Sequence, residues 1–181
     1  MKMFENDMID EQDFMDRARL LCSLGQTVLI SNFQEYYKLV EYFSLYSRKR
    51  MVLSMGVNNL IDIFDHKYYQ HLSGGILEAF SKLFHKDLKV YLYPMMSDDG
   101  TLITSENLKV HPRMKELYKF FKYTGKLVDI KNYNPEILNI FSRKVLKMIN
   151  SGENGWEPLL PTVVSNMIKK KQLFGFSKKE K

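Results

Sequence analysis

Three short clusters hold the residue types from which a binding site could be built. They are Ser31 with Asn32, Gly56 with Asn58 and Asn59, and Ser73 with Gly74 and Gly75. Hydroxyl and amide side chains beside glycine leave backbone N–H groups within reach of a ligand. That chemistry suits a phosphate or a ribose hydroxyl, and it sits where a strand or turn gives way to a helix. Ser73-Gly74-Gly75 lacks both the GxGxxG spacing and the GK[ST] ending of nucleotide loops, so a capped turn is its plainer reading. The same holds for Asn32 as an N-cap and for Gly56 and Asn58 as turn formers.

Other chemistry is weaker. His66 and His71 are a poor fit to one helix face, and no HExxH occurs, so no metal site is expected. Asp98-Asp99-Gly100 reads as a turn, because the later ligands of a calcium loop are missing. The single cysteine, Cys22, excludes an internal disulfide; on an apolar helix face it is expected as a buried structural thiol. No Gly-x-Ser-x-Gly elbow and no convergent acid–base set is legible, so no reaction and no cofactor is named. Tyrosines gather at Tyr36, Tyr37, Tyr42, Tyr46, Tyr68, Tyr69 and Tyr91. Of these, Tyr36, Tyr37, Tyr42 and Tyr46 fall on one helix and form the candidate interface.

The elements that must position these residues alternate. Glu11–Leu24 is expected as a helix with Phe14, Ala18, Leu21 and Cys22 facing inward and Gly25 as a left-handed C-cap. Gln26–Ser31 is a β-branched run expected as a strand, followed by a helix over 33–46 that opens on Asn32 with Glu35 in a capping box. Strands are expected again at Arg50–Gly56, Leu88–Tyr93 and Leu127–Ile130, with a brief edge pairing over Thr101–Thr104. Helices are expected from about Ser73 to Phe84, from Pro112 to Gly125, from Asn134 to Gly152, and from Pro161 to about Gly175. The result is a Rossmann-like, three-layer α/β fold, a mostly parallel sheet of about four strands with a helical C-terminal third. Candidate ligand residues then lie at the carboxyl ends of strands, where open α/β sheets bind ligands.

The 181-residue length fits one domain, expected over 10–176 between an acidic extension (1–9) and a basic tail (177–181). Net charge is +6, yet Glu5, Asp7, Asp10, Glu11, Asp13 and Asp16 crowd the first seventeen residues, and lysines crowd the end. A solvated terminus is the plain reading of that tail, and nucleic acid is not an expected partner. Apolar runs are far below the roughly 18 residues of a membrane span, so the chain is expected to be soluble and cytoplasmic.

Several runs carry a resemblance. They are QTVLISNFQEYYKLVEYF over 26–43, MGVNNLIDIF over 55–64, KYYQHLSGGILEAFSKLF over 67–84 and LKVYLYP over 88–94. LITSENLKV over 102–110, GWEPLLP over 155–161 and KQLFGF over 171–176 continue it. The chain resembles, from about Asp10 to Phe176, the C-terminal region of a bacterial family of unassigned activity whose members often carry the label TonB-dependent receptor. An outer-membrane receptor needs a long array of alternating strands, and none is legible here. A nicotinamide or nicotinate nucleotide adenylyltransferase would suit the fold class, but its paired histidines and Ser-x-Thr-x-x-Arg motif have no counterpart. The resemblance implies a longer protein and no chemistry.

Two functions follow as expectations. The favoured one is binding of a phosphate-bearing or nucleotide-like molecule at the strand ends. The other is a non-catalytic interaction module docking through the tyrosine-rich helices, onto a second copy or an upstream domain.

Overall fold

A computed structural model describes residues 11–177; the acidic extension and Lys178, Lys179, Glu180 and Lys181 lie outside it. The chain is mixed α/β, and its described residues cluster into two compact units, one formed by residues 32–139 and the other by residues 11–31 with 140–177. No helix among the described residues is long and apolar enough to cross a membrane.

The 32–139 unit contains α2 (Tyr36–Tyr46), β1 (Val52–Gly56), α3 (Val57–Ile63), α4 (Gly75–Leu83), β2 (Lys89–Tyr93), β3 (Met95–Met96), β4 (Leu102–Ile103), α5 (Lys115–Tyr123) and β5 (Leu127–Asp129). Its sheet is parallel in the order β1-β2-β5, and β3 pairs antiparallel with β4. Register aligns Leu53 with Val90 and Leu127, and Met55 with Leu92. Those side chains enter one core with Tyr37 and Val40 of α2, Leu60 of α3, Phe80 and Leu83 of α4 and Phe121 of α5. Phe80 is its hub: its ring meets Phe64 at 5.0 Å and Phe121 at 5.2 Å, both edge-on. Each such pair adds about 0.5–1.5 kcal/mol beyond its buried area. The residues facing the other way differ. Val52, Ser54 and Gly56 are exposed, and Lys89, Tyr91, Tyr93 and Val128 are half-buried.

The parallel sheet therefore has three strands where about four were expected. Gln26–Ser31 has no ladder partner and stays outside any strand, with Leu29 and Ile30 more than half exposed. β-branching fits a pleated surface but supplies no partner strand, so the run alone cannot make a ladder. Asn32 is accordingly no N-cap: α2 opens three residues later, with Glu35 in extended conformation at its cap.

The second unit holds α1 (Glu11–Ser23), α6 (Ser142–Ser151) and α7 (Thr162–Lys171). Leu20, Val145, Ile149, Trp156, Val164, Ile168 and Leu173 form its core. Helix α1 ends as expected at Gly25, in left-handed conformation. Its buried face differs from the expected one: Asp16 and Leu20 are inside, while Leu21 and Cys22 are exposed. Asp16 is covered while paired with Arg19, whose own side chain stays exposed, and Asp13 pairs with Arg17 half-exposed beside it. The 134–152 helix is broken; a 3-10 turn at Pro135–Ile137 precedes α6.

Candidate functional site

Gly56 ends β1 and N-caps α3, and Asn58 and Asn59 begin that helix. All three are exposed, and open space surrounds the position a Cβ would take at Gly56. This is the carboxyl end of the parallel sheet, with Tyr93 in register beside Gly56. Ser31 and Asn32, by contrast, end no strand, because theirs does not form. That part of the expected cluster therefore has no strand end to carry it.

Ser73, Gly74 and Gly75 stand at the start of α4 as expected, but their donors are already engaged. The Gly74 N–H donates to Glu78 Oε2 at 3.0 Å and the Ser73 hydroxyl to the same oxygen at 3.3 Å. This carboxylate, one turn into the helix, takes the place an anionic ligand would need. The Gly74 amide and the Lys82 ammonium, 3.2 Å from Glu78 Oε1, hold the Glu78 carboxyl below its ordinary pKa. Gly75 adopts the left-handed region that favours glycine.

The tyrosines of α2 split. Tyr37, expected at the interface, is buried; its hydroxyl lies 3.3 Å from His71 Nε2, and Lys82 sits over its ring. Helical geometry puts Tyr37 and Val40 on the core side, so the face that packs inward is shared by a tyrosine expected at the interface. Tyr36 is half-buried, and burial followed by the charge of Asp62 raises its pKa. Tyr42 and Tyr46 face outward, 39% and 73% exposed, with Phe43 at 37% and Leu45 at 79%. Their rings form a chain: Phe33 to Tyr42 at 5.4 Å, Tyr42 to Tyr46 at 5.0 Å, and Tyr42 to Phe43 at 5.8 Å. Arg48, Lys49 and Arg50 follow, all exposed.

One polar network was missed by sequence reading. Asp129, at the carboxyl end of β5, accepts from the Ser105 N–H at 2.9 Å and from the Ser105 hydroxyl at 2.6 Å. The buried Tyr118 hydroxyl donates to the Ser105 carbonyl at 2.7 Å. Burial, then the charges of Asp129 and Glu106, pushes the Tyr118 phenol well up. These three residues lie far apart in sequence, and no spacing motif could have joined them. The arrangement uses one acceptor site on each carboxylate oxygen to fix the 104–107 turn, which gives Asp129 a structural role as an anchor.

The histidines do not gather. His66 and His111 lie with ring centres 6.1 Å apart, and His71 belongs with Tyr37. Among the described residues no three His, Cys, Asp or Glu side chains converge as metal ligands. Compared with known family models, curated proteins and solved structures, the chain matches none.

Proposed function

We propose that the 32–139 unit is a protein-interaction module whose docking surface is the outer end of α2. The observation that carries the reading is the exposed cluster of Tyr42, Phe43, Leu45 and Tyr46, whose rings continue onto the half-buried Phe33. Singly scattered apolar side chains are ordinary on a protein surface, whereas a contiguous aromatic cluster marks a contact site. Arg48, Lys49 and Arg50 border it, so the partner is a protein segment presenting apolar residues between carboxylates. Tyrosine and arginine are also the residue types that dominate binding energy at interfaces.

The test is a photo-crosslinking amino acid at position 45 or 46 in the full chain, with adducts identified by mass spectrometry. An adduct to an acidic, apolar segment that disappears at high salt and in an Arg48→Glu/Lys49→Glu variant supports the reading. Adducts no different from those at the exposed control position Lys170 would overturn it, and adducts only between copies of the chain would replace the acidic partner with a second copy.

Exposure of Gly56, Asn58 and Asn59 favours a second reading, recognition of a phosphate-bearing or nucleotide-like molecule at the sheet's carboxyl end. A ligand at 100 times its dissociation constant adds about 2.7 kcal/mol, so nucleotides and phosphosugars can be screened by melting temperature. A rise abolished by Asn58→Ala supports it. A flat screen removes it. On either reading we propose membership of the bacterial family that the quoted runs resemble.

A further inference from the structure

The second unit contains a cavity of about 480 Å³, within the range of small-molecule sites. Three stretches build it: the first turns of α1 with Gln12, the C-terminal half of α6 with Asn150, and the corner after α7 with Lys171, Gln172, Phe174 and Gly175. The corner has an unusual backbone. Gln172 and Phe174 are left-handed (φ 52° and 56°), Leu173 between them is helical, and Gly175 follows at φ 74°. A left-handed conformation costs a non-glycine residue of order 1–2 kcal/mol, so two within three positions need compensation. Alternation of right- and left-handed residues turns successive N–H groups toward one side and creates a concave anion-binding nest.

The surrounding side chains fit that polarity. Lys171 is exposed beside the nest, and Asn150 and Gln172 bring amides to the wall; Gln12 Nε2 donates to Asp16 Oδ2 at 2.9 Å, so that side chain presents its carbonyl oxygen. Asp13 and Asp16 line the cavity too, but both are ion-paired. Arg17 grips both Asp13 oxygens at 2.6 and 3.0 Å, and Arg19 donates to Asp16 at 3.1 Å. Arg17 also lies over the Phe174 ring, 5.1 Å from its centre, which braces the corner. Gly175 lies against Asn150: a Cβ there would come within 2.5 Å of Oδ1, and the Asn150 amide would have to move.

We propose that this cavity binds a small hydroxyl-bearing organic anion. The anionic group, phosphate or carboxylate, rests on the N–H groups of residues 173–175 and on Lys171. The amides of Asn150 and Gln172 and the carbonyl oxygen of Gln12 take its hydroxyls. This site is independent of the α2 docking surface and uses none of its residues.

The test is titration of the ¹⁵N-labelled full chain with glycerol 3-phosphate, glucose 6-phosphate, malate, inorganic phosphate and glucose. The expected result is amide shifts at 171–175 with a phosphate ester or malate, at least tenfold tighter than with glucose or inorganic phosphate. Comparison of the esters with malate assigns the anion as phosphate or carboxylate. Lys171→Ala removes one charge-assisted contact and should weaken binding about tenfold. Asn150→Ala should weaken it severalfold, and it keeps the test valid if a corner variant fails to fold. No shift at 171–175 with any anion, shifts confined to 56–59, or unchanged affinity in both variants would overturn the proposal.

Discussion

Replacing Ser105 with alanine should unfasten the carboxyl end of β5 from the 104–107 turn. The substitution deletes the hydroxyl that donates to Asp129 Oδ2 at 2.6 Å and keeps the backbone N–H on Oδ1 at 2.9 Å. A hydrogen bond to a charged acceptor contributes about 1.5–3 kcal/mol, and its neutral counterpart about 1 kcal/mol. Asp129 is half-buried, so water can replace part of the lost contact, and the lower end, about 1.5 kcal/mol, applies. For a chain of this length that is a fall of about 3–6 °C in melting temperature. Tyr118→Phe removes the donor to the Ser105 carbonyl and should cost about 1–2 kcal/mol. Both bonds converge on one residue, so the double variant should fall short of the sum by more than about 0.5 kcal/mol. Urea unfolding of the four proteins, monitored by far-UV circular dichroism, measures all three quantities. A Ser105→Ala loss below about 0.3 kcal/mol, or strict additivity, would refute the reasoning and leave Asp129 available for chemistry.

Four further outcomes follow. Asp99 accepts from the Ser97 hydroxyl and the Thr101 N–H, which lowers its pKa to about 2; an NMR titration should place its midpoint there. The depressed pKa sets the sign: the turn's contribution is present above about pH 4, the ordinary aspartate value, and is lost as pH falls through 2. Cys22, being exposed, should react with a thiol reagent in the native state at the rate of an unfolded control; strong protection would contradict the orientation of α1. Gly175→Ala should cost more than 1 kcal/mol in thermal or urea unfolding, because φ is positive and Asn150 stands 2.5 Å from the new methyl. Gly100→Ala, at φ 81° with open space around it, should cost only the backbone term of about 1 kcal/mol.

The parallel strands of the 32–139 unit were legible because each is an apolar run bounded by polar or turn residues. Val52–Gly56, Lys89–Tyr93 and Leu127–Asp129 lie within or match their expected bounds. The failure at Gln26–Ser31 has a physical cause: composition sets strand propensity, whereas pairing needs an edge delivered by the rest of the chain. Helical phase was the other weak point. In α1 the apolar stripe through Leu21 and Cys22 lost to one through Asp16 and Leu20. Ion pairs along the helix allow a carboxylate to be covered, and a hydrophobicity pattern cannot weigh that gain. Of the candidate site residues, Gly56, Asn58, Asn59, Tyr42 and Tyr46 are exposed where the sequence reading needed them. Tyr37 is in the core, and Ser73 and Gly74 are satisfied by Glu78, a partner one turn away that a motif search overlooks. The Ser105–Asp129–Tyr118 network was invisible because its members meet only after β5 has entered the sheet.

The placement of α2 separates the two functional readings. A short 47–51 connection brings Tyr46 near the amino end of β1, whereas Gly56, Asn58 and Asn59 stand at its carboxyl end. Open α/β sheets bind small ligands at the carboxyl ends of their strands, so the aromatic chain on α2 lies at the end where such a site is not built. Its exposure is then not explained by a ligand pocket. It is not explained by the core either, because Tyr37 and Val40 already supply the inward face of the helix. We propose that contact with another surface accounts for it. On that proposal Arg48 and Lys49, beside an Arg50 that already faces Asp87 at 3.6 Å, would make the contact electrostatically selective, favouring a partner with carboxylates at matching positions and opposing a second copy with the same cations.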